Sequence, residues 1–166
     1  MPKIGLLSDT HGFLDDKVFT YFKDCDELWH AGDFGTTEIS DRLSAFKPLR
    51  GVYGNIDGRE LRLIHPKDLE FELEGFRIWM THIGGYPGHY APDVRKKLAE
   101  NAPDIFVCGH SHILKVMTDK KYNNMLTLNP GAAGIQGFHK IKTIMRFDLN
   151  KRRIENMQVI ELGKRA

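Results

Sequence analysis

An apolar run near the amino terminus stops abruptly at a carboxylate. Ile4, Gly5, Leu6 and Leu7 are followed by Ser8, Asp9, Thr10, His11 and Gly12. Three branched aliphatics and one glycine read as a short strand in a sheet covered on both faces. Open α/β sheets place their sites just past the carboxyl ends of such strands. Asp9 and His11 can turn both side chains towards one point there. A metal ion is the expected occupant.

The same pattern recurs along the chain. Leu14, Val18, Phe19 and Phe22 have helical spacing and predict a helix ending near Lys23. A second strand over 28–31 delivers Gly32 and Asp33. A helix follows, with Ile39, Leu43 and Phe46 on one face and Pro48 past its end. The strand over 49–53 precedes Gly54, Asn55, Ile56 and Asp57. Alternation of Leu69, Phe71 and Leu73 with Glu70, Glu72 and Glu74, then Gly75, predicts an antiparallel hairpin, with His82 just beyond its second strand. After a glycine-rich loop carrying His89, Pro92 opens a helix. The strand Ile105 to Cys108 precedes Gly109, His110, Ser111 and His112. The last third reads as strands over 115–118, 125–128, 143–149 and 154–161.

Parallel and antiparallel strands with few helices predict an α+β, four-layer architecture: two mixed sheets face to face, helices outside. The absence of repeats and linkers predicts one domain over 1–166. With 166 residues, 41% of them hydrophobic and 28% charged, the composition is that of a globular protein with a sizeable core. A formal net charge of +2 provides no broad nucleic-acid-binding face, so no extended nucleic acid is expected as a partner. The basic run 151–153 reads as a solvated hairpin turn. Cys25 and Cys108 form no CxxC pair and imply no disulfide framework. Without a signal peptide or membrane-length apolar run, the expectation is a cytoplasmic protein with no membrane partner. The exposed edge of the hairpin over 69–80 offers a place for a second copy to pair.

Five strand ends thus deliver Asp9 with His11, Asp33, Asn55, His82, and His110 with His112. Every donor is oxygen or imidazole nitrogen. That set suits manganese, iron, nickel or zinc, and the lack of thiolates argues against a structural zinc site. Gly12, Gly32, Gly54 and Gly109 let backbone approach closely. Asp57 is assigned to the loop or to support of the ligands. His30 either backs the site or packs as a strand end. His65 and His139 read as surface residues.

These motifs, in this order, resemble the calcineurin-like metallophosphoesterase signature. The chain is similar to the small bacterial and archaeal phosphodiesterases of that superfamily, the YfcE-like group, over residues 4 to about 131. The resemblance implies a metallo-dependent phosphatase-like β-sandwich with helices on both sides. It also implies two divalent metals, manganese first among the candidates. Asp9, His11, Asp33 and His112 would hold one, and Asp33, Asn55, His82 and His110 the other. Hydrolysis would proceed by in-line attack of a hydroxide shared between the ions, with Asp33 and Asn55 serving catalysis and a small phosphate ester as substrate. Many relatives carry histidine after the asparagine, where it protonates the leaving group. Ile56 stands here instead, which favours phosphodiesters, and His89 is the candidate substitute. Ile83, Gly84 and Gly85 also depart from the family pattern, whereas Asn129, Pro130 and Gly131 match its terminal turn. The rival implication is a catalytically weak protein-binding scaffold of the same fold, like the retromer subunit, and completeness of the ligand set favours catalysis.

Overall fold

The computed structural model describes residues 1–166. In chain order the elements are β1 (Lys3–Leu7), α1 (Lys17–Tyr21), β2 (Glu27–His30), α2 (Thr37–Phe46), β3 (Leu49–Gly51) and α3 (Arg59–Ile64). Next come β4 (Asp68–Leu73), β5 (Phe76–Thr81), α4 (Pro92–Asn101), β6 (Ile105–Val107), β7 (Lys115–Asp119), β8 (Met125–Asn129), β9 (Ile141–Asn150) and β10 (Arg153–Lys164). They build two five-stranded sheets, ordered β10-β9-β1-β2-β3 and β4-β5-β6-β8-β7. Parallel pairs join β1, β2 and β3 in the first sheet, out to its edge, and β5, β6 and β8 at the centre of the second. Antiparallel pairs add β9 and β10 on one side of the first sheet, and β4 and β7 at the two edges of the second.

Strand side chains alternate between faces, and each face has its own apolar layer. Ile4, Leu6 and Trp29 of the first sheet meet Ile78, Met80, Ile105 and Val107 of the second, forming the middle of the sandwich. On the outer face of the first sheet, Leu7, Leu28 and Ile144 bury Val18 and Phe22 near α1 and Ile39 and Leu43 of α2. Val94 and Leu98 of α4 cover Trp79 and Phe106 on the other outer face. The expected sandwich with helices outside is therefore present. No helix is long and apolar enough to cross a membrane.

Three local readings change. The first helix spans only five residues, because Leu14 reaches the core from a loop. The short α3 was not foreseen: Leu61 is its one buried residue, so no apolar stripe marks it. Nor is the turn at 151–153 simply solvated. Arg152 Nη1 donates to Gly75 O at 2.6 Å and pairs with Asp104 at 3.2 Å, while Lys151 N donates to Glu74 Oε1. That turn thereby ties the β9–β10 end of one sheet to the β4–β5 end of the other.

Candidate metal centre

All five predicted groups lie at one end of the sandwich. Hydrogen bonds from loop to loop hold them together. Asp9 N donates to Gly32 O, His11 N to Asp33 O, and Gly109 N to His82 O. Asp57 is buried and accepts from the backbone N–H groups of Phe34, Gly35 and Gly54, locking the loop after β3 to the loop after β2. Asn129 Nδ2 donates to Gly109 O, just ahead of His110. Thus the turn at 129–131 also supports the site.

Close approach of backbone is literal here. A Cβ on Gly54 would lie 2.0 Å from Asp33 Oδ1, and one on Gly109 would lie 2.2 Å from Ser8 Oγ. Gly12 differs, with no contact nearer than 3.5 Å; its φ of +79° serves the turn. Asp9, His11, Asp33, His110 and His112 all adopt left-handed backbone, with φ between 46° and 71°. Such conformations are uncommon outside glycine and cluster at functional sites, where the surrounding structure holds them.

Two groups of donors result. Ligand atoms of Asp9, His11 and His112 lie within 4.8 Å of one another, as do those of Asp33, His82 and His110. Asp33 Oδ2 stands between the groups, 3.4 Å from His11 Nε2 and 3.1 Å from His82 Nε2. Asp9 Oδ1 is 3.2 Å from His112 Nε2 and 3.7 Å from His11 Nε2. Asn55 Oδ1 lies 3.1 Å from His110 Nδ1. Donors bound about 2.1 Å from one ion stand roughly 3–3.5 Å from each other, so this spacing fits cations. Three of these buried atoms have no hydrogen-bond partner: Asp9 Oδ1, His11 Nε2 and His82 Nε2. Buried polar atoms are rarely left so, and here Asp9 Oδ1 lies 3.7 Å from His11 Nε2 and 3.8 Å from His82 Nε2, with both donor groups represented.

The supporting bonds aim the donors. Ser8 Oγ and His110 N donate to Asp9 Oδ2, leaving Oδ1 turned inward. Ile56 N donates to Asp33 Oδ1, leaving Oδ2 free. His82 Nδ1–H donates to the Ala31 carbonyl at 2.7 Å, so the lone pair of a neutral ring lies on Nε2. Burial by itself would raise Asp9 and Asp33. The imidazoles around them, with Ser8 for Asp9 and the Ile56 N–H for Asp33, outweigh it and hold both well below the usual carboxylate range. Conversely, Asp33 and then Asp9 pull His11 up to about 9.

The other histidines divide. His30 is fully buried, stacked on Phe34 at 3.7 Å, and accepts from Gly32 N while meeting Thr10 Oγ1. Burial pushes it down to about 3. It both packs and backs the site. Two surface assignments are overturned. His65 is buried, bonded to Ser40 Oγ at 2.8 Å and stacked on Phe34. His139 is half-buried against His112, with Nδ1 atoms 3.3 Å apart. Neither follows a recognisable strand or carries a motif, so no local signal marked them. His89 is exposed, packs on Tyr86, and lines a small cavity with His110 and Ser111. Gly84 packs on Cys108 and Phe106, so the altered loop leaves His82 in place.

Comparison with known proteins places the chain by sequence and by fold. A "probable metallophosphoesterase" of Mycoplasma pneumoniae is 31% identical over 167 residues, covering 95% of this chain and 96% of that protein. Among solved structures, Vps29 from Chaetomium thermophilum superimposes with a TM-score of 0.77 at 16% identity, covering 98% and 97% of the two chains. A structure described as a novel archaeal phosphodiesterase superimposes with a TM-score of 0.70 at 22% identity, covering 96% and 99%. Both show the shared fold. The family profile for the calcineurin-like phosphoesterase superfamily domain matches residues 2–152. With its sandwich, its strand-end donors and this match in agreement, the chain belongs to the calcineurin-like phosphoesterase superfamily.

Proposed function

We propose that this protein is a two-metal phosphodiesterase acting on small phosphate esters in the cytoplasm. The single observation that carries the reading is the pair of donor groups joined through Asp33, with inward atoms of Asp9, His11 and His82 left unpartnered. Asp9, His11, Asp33 and His112 would hold one divalent ion, and Asp33, Asn55, His82 and His110 the other. Manganese is the favoured metal; nickel, iron and zinc suit the same donors. Ions in these positions would polarise a phosphoryl oxygen and acidify a water.

The chain's own residues supply the rest. Ser8 and the His110 N–H orient Asp9, and the Ile56 N–H orients Asp33. A cavity of about 600 Å³ opens beside Asn55 and His82, with Arg62, Lys67 and Lys97 on its walls, and provides room for one arm of a diester. Ile56 is 47% exposed beside Asn55 and donates no proton from its side chain. A leaving group that needs protonation is therefore disfavoured, by about 10²–10⁴ in rate. Acidic leaving groups are preferred. His89, on the neighbouring cavity wall, is the proposed partial substitute.

The test combines metal analysis with hydrolysis of a bis-aryl phosphodiester. Wild-type protein is expected to bind two ions per chain and turn the diester over. Asp33→Asn and His110→Ala are expected to lose nearly all of that activity. Metal-loaded protein without turnover under manganese, nickel or zinc would favour the scaffold reading instead.

A further inference from the structure

His139 has no part in the donor set, yet it touches that set at one point. Its Nε2 lies 2.8 Å from the Gly134 carbonyl, which only accepts, so that nitrogen carries the proton. A neutral ring then has its lone pair on Nδ1, which faces His112 Nδ1 at 3.3 Å. His112 must donate there, and its own lone pair falls on Nε2, the nitrogen 3.2 Å from Asp9 Oδ1. We infer that His139 is a positioning residue that fixes the tautomer and ring orientation of His112 for metal binding. The inference rests on the proposed metal site. It extends it to a residue that no strand-end motif contains.

The loop carrying His139 is itself anchored. Gly134 N donates to Asp9 O, and a Cβ on Gly134 would lie 2.2 Å from Thr10 O. A Cβ on Gly137 would lie 2.3 Å from His112 Nδ1, so the loop passes directly behind that ring. Arg165 closes the far side: Nε donates to His139 O at 2.8 Å and Nη1 to Ile135 O. Arg165 lies beyond the family match, which ends at 152. The run from Arg165 through His139 to His112 thus joins the segment just after β10 to the donor set. Ligating histidines commonly pass their second N–H to a carboxylate, carbonyl or water, and losing that partner typically costs 10–100-fold in metal affinity. An imidazole pinned by a carbonyl fills that role here.

The test measures Zn²⁺ affinity by competition with a chelator in wild type, His139→Phe, His139→Ala and His139→Asn, alongside each unfolding midpoint. Phe and Ala remove the acceptor, and Phe keeps bulk. Asn places Oδ1 near the original Nδ1 and retains the acceptor. At unchanged unfolding midpoints, roughly 10–100-fold weaker binding at one of two sites is expected for Phe and Ala, with Asn near wild type. Equal binding by wild type and a folded Phe or Ala variant overturns the role of His139. So does equal weakening of Asn and Ala. Wild-type protein that binds no Zn²⁺ defeats the metal-site reading itself, an outcome distinct from any difference among variants.

Discussion

Asp33 is constrained from every side. Ile56 N–H takes Oδ1, two imidazoles face Oδ2, and the backbone of Gly54 closes the remaining space. Gly54→Ala would drive a methyl group into Oδ1 and turn the carboxylate. The expected result is loss of most bound metal and at least about 10² in rate, with near-native circular dichroism. Normal metal content in that variant would contradict the steric account. His30 provides a second residue-level expectation. Burial lowers it to about 3 from 6.5, so between those values the unfolded chain holds a proton that the folded chain refuses. Its contribution to stability is complete above pH 6.5 and is lost as pH falls towards 3, at up to about 1.4 kcal/mol per pH unit. Buried His65 is lowered in the same direction. Denaturant unfolding at pH 7 and pH 5 measures the slope, and His30→Gln should flatten it.

The strand-end loops act as one element rather than five. Asp57 receives three backbone N–H groups from two of them. Asp57→Ala leaves those buried donors unpaired and should cost about 3 kcal/mol or more, read as a lower denaturant midpoint. Metal affinity should fall with it, because Gly54 and Asp33 lose their register. The short α3 contributes through Arg62, whose Nε donates to Asp57 O at 2.7 Å. Much of this was legible beforehand: each short apolar strand ended at a donor, and the donors converge. The helix itself was invisible because one buried leucine makes no periodic stripe. His65 and His139 were misread for a related reason. Their partners, Ser40 with Phe34 and His112 with Arg165, come from distant parts of the chain, and burial by distant partners leaves no local pattern.

Across the whole molecule, a bound cation and protons would compete for one set of atoms. Asp33 and Asp9 hold His11 at about 9, and His82 is raised as well, against the opposing effect of burial. At neutral pH the metal-free site therefore holds a proton on His11 that a cation would have to displace. Metal affinity should therefore strengthen as pH rises from 7 towards 9. Titration calorimetry in buffers of different ionisation enthalpy should record net proton release at pH 7. Zero release would contradict the raised histidines. In the metal-free protein His11 adds stability that is full below pH 6.5 and disappears as pH rises through about 9, a window separate from that of His30.

By itself the sequence determined the strands, the sandwich and the seven converging donors. These depend on local alternation and on polar residues placed directly after apolar runs, both carried by neighbours in the chain. Only the tertiary structure decided which oxygen of Asp33 faces both donor groups, which residues brace the loops, and that His139 and Arg165 reach the site. Those outcomes depend on contacts between residues far apart in the chain, and they exist only once the two sheets are packed together.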